Sequence, residues 1–188
     1  MSKVSDDSVF TPSSFGDFGS RAAIDQALSR LVAKDKLRRV ARGLYERPRQ
    51  HPALGLLLPN IEKVAHAVAK KYHIRLLPAG AHAVNLLGLS EQVPAKIIYR
   101  TDGPSRVIRI GRQEIYFRRT SPRNMAAAGR LSGLIIQALR ELGKNHITAE
   151  RIAFLKQKLP LEQRRELPKD LILAPTWMQP IFLELAKD

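Results

Sequence analysis

The side chains with most chemical reach in this sequence are its arginines and lysines, and they are unevenly spread. Thirty-two Lys and Arg stand against 17 Asp and Glu, a net charge of +15 over 188 residues. Residues 30–49 hold eight bases (Arg30, Lys34, Lys36, Arg38, Arg39, Arg42, Arg47, Arg49) and two acids (Asp35, Glu46). Residues 96–130 hold nine bases and two acids, so the two stretches carry thirteen of the fifteen net charges. A clustered excess sets up a positive potential suited to a polyanion, and nucleic acid fits it better than a generic solvated surface does. Neither stretch is a basic amphipathic helix with bulky aromatics, which argues against an anionic membrane surface.

Other chemistries find little support. The five histidines (His51, His66, His73, His82, His146) show no metal-ligand spacing. The absence of cysteine excludes disulfides and thiolate metal sites, and fits a reducing cytoplasm. No Gly-Lys-Ser/Thr phosphate loop and no nucleophile elbow occur. Gly19-Ser20 matches the Gly-Ser opening of nucleotidyltransferases, but no Asp-x-Asp follows to hold a metal. Asp102 and Glu114 precede strand-like segments and could form a nuclease carboxylate pair, yet the lysine such a site usually adds is missing. The expectation is a non-enzymatic protein with no cofactor and no metal. No apolar run approaches the ~20 residues of a membrane span. Residues 1–10 lack the apolar core of a signal peptide. A cytoplasmic location is expected.

The elements that must position these charges follow from caps and periodicity. Residues 1–9 are expected to fray. Thr11 or Ser13 caps a short helix through Phe15 and Phe18, ended by Gly19. Ser20 then caps a helix over 21–34, with Ile24, Ala27, Leu28 and Leu31 as its buried stripe. Residues 37–40 and 44–46 form a hairpin about Arg42-Gly43. Residues 48–59, with three prolines, read as a linker. The domain boundary is therefore placed at residues 50/51. A helix over 60–72, a strand at 75–77, and a helix over 79–87 ended by Gly88 follow. Strands at 96–100, 106–110 and 114–118 come next, the last two joined by a type II′ turn at Gly111-Arg112. Thr120 or Ser121 starts a long helix through Leu142. Residues 148–159 form another helix. Thr176 and Gln179 form a capping box for the last one. The fold class expected is α+β: an N-terminal winged helix-turn-helix (1–50), then a mixed α/β domain with a small sheet and C-terminal helices (51–188).

In that arrangement the helix at 21–34 enters the major groove, with Arg21, Gln26 and Ser29 near base edges. Arg38, Arg39 and Arg42 lie on the wing, against phosphates. The candidate DNA-binding set is Ser20, Arg21, Gln26, Ser29, Arg30, Lys34, Arg38, Arg39, Arg42 and Tyr45. Asp25 on the same face counts against it, being repelled by phosphate unless it accepts from a cytosine amine. Arg118, Arg119, Ser121 and Arg123 form a candidate second basic surface, where a capped helix start meets arginines.

Three blocks carry a resemblance: Gly19-Ser20-Arg21-Ala22-Ala23, Gln26-Ala27-Leu28-Ser29-Arg30-Leu31 and Arg38-Arg39-Val40-Ala41-Arg42-Gly43-Leu44-Tyr45. Three more continue it: Gly80-Ala81-His82-Ala83-Val84-Asn85-Leu86-Leu87-Gly88-Leu89-Ser90, Tyr99-Arg100-Thr101-Asp102-Gly103-Pro104-Ser105-Arg106 and Arg118-Arg119-Thr120-Ser121-Pro122-Arg123-Asn124-Met125. In order and spacing they resemble AbiEi-like antitoxins of type IV toxin–antitoxin systems, in an uncharacterised plasmid and chromosomal branch. The resemblance implies a winged-helix domain that binds inverted repeats in promoter double-stranded DNA and represses its own operon. It also implies antagonism of a cognate nucleotidyltransferase toxin, often without a stable complex, in a setting of phage defence. Ser20, Arg21 and Gln26 would fall on the recognition helix, and Arg38, Arg39 and Arg42 on the wing. Such proteins have a full helix before Val9-Phe10-Thr11-Pro12, whereas only residues 1–8 precede it here, so the first scaffold helix is expected to be short or missing. The competing readings are an RNA-binding or toxin-contacting module without specific DNA binding, and a nuclease using Asp102 and Glu114.

Overall fold

The computed structural model describes residues 9–111 and 113–187. About half of these residues are helical, and the strands form small sheets, so the protein is mixed α/β. The chain divides into two compact units, Met1–His73 with Ile108–Gln113, and Ile74–Val107 with Glu114–Asp188.

In the first unit Phe10 makes an isolated antiparallel bridge to Tyr45, each N–H donating to the other's carbonyl at 2.8 and 2.9 Å. A 3-10 helix, Pro12–Phe18, follows and ends at Gly19. Helix α1, Arg21–Ala33, begins where Ser20 Oγ accepts from the Ala23 N–H at 3.3 Å, supplying one of the donors a helix start leaves open. Strands β1 (Arg38–Ala41) and β2 (Leu44–Glu46) form an antiparallel hairpin whose turn needs the left-handed φ of +68° at Gly43. Ile24, Leu28, Leu37, Phe10 and Tyr45 make one small core, flanked by Phe15, Leu31 and Val32. Ala27, expected in that stripe, is exposed.

The stretch expected to be a linker holds a second short hairpin, β3 (Gln50–His51) and β4 (Gly55–Leu56). Helix α2, Ile61–Tyr72, is capped by Asn60, whose Oδ1 accepts from Lys63 N–H at 3.0 Å, and it packs on β2. Residues up to His73, together with Ile108–Gln113, thus group into the first compact unit, where the sequence placed a boundary at 50/51. Two tertiary bonds tie this segment down: the Arg38 guanidinium donates to Leu57 O at 2.7 Å, and Lys71 Nζ donates to Arg42 O at 2.9 Å.

In the second unit, strand β5 (Leu76–Ala79) pairs antiparallel with β6 (Lys96–Thr101), and helix α3 (Ala81–Leu86) lies between them in sequence. Strands β7 (Arg106–Ile110) and β8 (Gln113–Arg119) complete a four-stranded sheet of order β5-β6-β8-β7. β6 and β8 run parallel. The expected type II′ turn includes Arg112, which lies outside the described residues, as do the expected frayed start and the question of a first helix before Val9.

The single long helix expected from Ser121 to Leu142 is two. Helix α4, Pro122–Met125, stops, and α5, Leu131–Leu142, restarts after Gly129 at φ +82°. Helix α6 (Ala149–Lys158) is capped by Thr148, and α7 (Leu161–Arg165) leads into a 3-10 segment, Leu167–Leu173. The expected capping box at Thr176 is absent. Thr176–Met178 is a 3-10 turn running into α8, Gln179–Ala186, and Gln179 Nε2 donates to Leu171 O at 3.2 Å. Ala83, Ile135, Leu139, Leu155, Met178 and Phe182 fill the core of these helices. Among the described residues no helix is long and apolar enough to cross a membrane.

Candidate nucleic-acid interface

Helix α1 turns a broad polar face to solvent. Arg21, Gln26, Ser29 and Arg30 are exposed on it, and Lys34 is exposed at its C-cap. Asp25 is answered within the helix, since Arg21 Nε meets Asp25 Oδ2 at 2.8 Å across one turn. Such an exposed pair is worth only about 0.3–0.5 kcal/mol, so Arg21 can be withdrawn by a competing anion at little cost. Ser29 Oγ donates to the Asp25 carbonyl at 2.9 Å, and Ser20 Oγ is engaged at the cap. Gln26 and Arg30 are the face's most available polar groups.

The hairpin sorts its cations by burial. Arg39 and Arg42 are exposed. Arg38 points inward: its Nε donates to Glu46 Oε1 at 2.8 Å, its Nη2 contacts the same oxygen, and its side chain is 23% exposed against 10% for Glu46. Tyr45 is 7% exposed and stacks on Phe10 at 6.4 Å. Of the expected contact set, the Arg38 guanidinium is thus engaged by Glu46 and Leu57 O, and Tyr45 lies in the small core with Phe10, Ile24 and Leu28. Lys71 was not foreseen. Its ammonium would lie 2.8 Å from a Cβ at Gly43, so α2 fixes the turn of the hairpin. The partners are 29 residues apart, and no local pattern signals them.

The expected second basic surface is not one cluster. Parallel pairing sets Arg118 beside Arg100, and Arg119 beside the fully buried Thr101. Because strand side chains alternate faces, Arg118 and Arg119 leave the sheet on opposite sides. Ser121 caps α4, accepting from Asn124 N–H at 3.4 Å, and Arg123 is exposed. Arg118 Cζ lies 5.2 Å from the Tyr116 ring centre and Lys96 Nζ 6.0 Å from it.

The candidate nuclease carboxylates are separated. Glu114 faces Lys96 at the start of β8, whereas Asp102 follows Thr101, which faces Arg119. Six strand positions at 3.3 Å put them about 20 Å apart. Asp102 Oδ1 accepts from the Arg75 N–H and Oδ2 from Arg75 Nε, both at 2.8 Å, which holds its carboxyl below the usual aspartate range. Glu114 accepts from Tyr116 OH at 2.5 Å. Buried His82 bonds Tyr99 OH at 3.1 Å. Among the described residues no three His, Asp or Glu side chains gather as a metal site. A cleft of about 410 Å³ beside α5 contains Asp170, which accepts from Arg130 Nη1 and from Ser132 Oγ, both at 2.5 Å. Both carboxylate oxygens are used, so this is a clamp between α5 and the 3-10 segment.

The chain belongs to DUF6088, a family of unknown function, whose pattern matches residues 1–167. No curated protein matches it.

Proposed function

We propose that the protein is a DNA-binding antitoxin of the type IV class, which binds inverted repeats upstream of its own operon through an N-terminal winged helix and represses it. The observation that carries the reading is the Phe10–Tyr45 bridge. It joins the extended segment before the first helical turn to the returning strand of the hairpin, and residues of α1 share one core with both, which supports a winged-helix reading. Gln26, Arg30 and Arg21 then form the groove-reading face, and Arg39 and Arg42 hold phosphates on the wing. Resemblance to AbiEi-like antitoxins supplies the setting: a cytoplasmic autoregulator opposing a nucleotidyltransferase toxin encoded beside it.

The test is fluorescence anisotropy of the full chain on a duplex from its own upstream region, with a scrambled duplex as control. Binding to the native repeats should be at least a thousandfold tighter, with log affinity falling linearly in log salt. Equal affinity for the scrambled duplex would overturn specific repression. Co-expression with the adjacent reading frame tests the antitoxin role, which predicts restored growth.

A further inference from the structure

In the second unit, Gly133, Gln137 and Arg140 follow one another at helical spacing along α5, so they share one stripe of that helix. Gly133 lets the stripe close on the chain before it: a Cβ there would lie 2.2 Å from Ala127 O and 3.0 Å from Leu77 Cδ1. Between the stripe, Arg123 of α4 and Leu77 of β5, a notch of about 10 Å³ remains. That volume admits one oxygen-sized group. Gln137 is 6% exposed, and among the described residues its amide has no hydrogen-bond partner. Buried amides are normally satisfied, so this exception needs a cause. No side-chain N or O that is wholly shut off from solvent lacks a partner, so the amide opens outward, and the notch is where it does. With neither end bonded, it is free to turn its two N–H donors to that opening. Arg123 and Arg140 are exposed at the same notch, and neither has a hydrogen bond or ion pair among the described residues. Among the described residues no carboxylate lines it. Leu77 and Ile136, 1% and 4% exposed, give it an apolar floor, against which a hydrogen bond is electrostatically stronger than in water.

We propose that this notch binds a dianionic phosphoryl group, either free phosphate or the end of a phosphate monoester. One oxygen enters the notch and accepts from the Gln137 amide. The other terminal oxygens meet the Arg123 and Arg140 guanidinium groups at the mouth, and an ester oxygen points to solvent. Such a group fits because it offers three strong acceptor oxygens and nearly two negative charges at neutral pH. The notch answers with one amide and two cations. A phosphodiester of a nucleic-acid backbone has two free oxygens and one charge, and so has a carboxylate, so each leaves a donor group unmatched. The site lies wholly within the second unit, and the inference does not depend on the function proposed above.

The experiment titrates the isotope-labelled full chain with methyl phosphate, and in parallel with inorganic phosphate, dimethyl phosphate and acetate at matched ionic strength. The readout is the NMR signal pair of the Gln137 side-chain amide, identified as the pair that Gln137→Leu removes. Methyl phosphate should move that pair saturably, with a midpoint on the order of 1 mM. Dimethyl phosphate and acetate should bind at least tenfold more weakly. Arg123→Ala/Arg140→Ala, which trims two exposed side chains, should weaken methyl phosphate binding at least tenfold and leave the thermal midpoint in place. Gln137→Leu, which keeps the volume and removes the amide, should lower affinity measured by calorimetry about tenfold, with a thermal melt to check that it is folded. Tighter binding of methyl phosphate than of inorganic phosphate makes an ester the ligand, and the opposite order makes it free phosphate. Three outcomes would overturn the proposal: no saturable movement of the Gln137 pair with either phosphate, unchanged affinity in the arginine variant, or binding of dimethyl phosphate or acetate as tight as that of methyl phosphate.

Discussion

Arg38 and Arg39 are neighbours with opposite assignments, and that contrast can be measured. Arg38→Met keeps most of the aliphatic stem and deletes the cation. Glu46, with its side chain 10% exposed, is then left charged without its partner, and Leu57 O loses a charged donor. Stranding one member of a buried pair costs about 3–5 kcal/mol. Arg38 is 23% exposed, so water reaches the gap and the lower part of that range, about 3–4 kcal/mol, applies. For a unit of this size 1 kcal/mol moves the midpoint by roughly 4–8 °C, so melting of the N-terminal unit should drop on the order of 10 °C or more. Removing both charges, in Arg38→Met/Glu46→Met, should recover most of the loss. A double-mutant cycle by urea denaturation should give a coupling of about 2 kcal/mol. Arg39→Met should leave stability within about 0.5 kcal/mol and weaken duplex binding instead. If Arg38→Met melts with wild type while DNA affinity falls as in Arg39→Met, the inward assignment is wrong.

Arg39→Ala/Arg42→Ala should reduce the salt slope of duplex binding by about 1.8 without changing preference among operator variants, and an unaltered slope would remove the hairpin from the interface. Asp102 has a depressed pKa, so its contribution to stability is complete above the ordinary aspartate value of about 3.9 and is lost as pH falls through the lower folded value. Wild type should therefore lose more stability than Asp102→Asn below about pH 4, and parallel curves would contradict the Arg75 clamp. Gly133→Ala would set a Cβ 2.2 Å from Ala127 O and 3.0 Å from Leu77 Cδ1. The second unit should lose about 1–3 kcal/mol, read as a lower denaturant midpoint.

What the sequence determined alone is local. Ser20, Asn60, Ser121 and Thr148 each precede a helix start and each accepts from a backbone N–H three residues on. Such caps depend on residues within one turn, so they are legible without a fold. The hairpin about Gly43 and the strands at β6, β7 and β8 follow from turn chemistry and alternation in the same way. Local signals failed where two local preferences compete. The Ala126-Ala127-Ala128 run favours helix, but Gly129 adopts φ +82° and the chain restarts at Leu131.

Which way each arginine points was decided by tertiary structure. Arg38 turns inward because Glu46 and Leu57 O lie there, and Tyr45 is buried because Phe10 stacks on it. Arg100 and Arg118 became neighbours only through parallel pairing of β6 with β8, and Arg123, Gln137 and Arg140 meet only where α5 crosses β5. Charge count and spacing establish that the chain is strongly basic and that its cations are clustered. They cannot assign a cation to a face, because a side chain's direction is set by partners tens of residues away and by whether burial there offers it a carboxylate or a carbonyl.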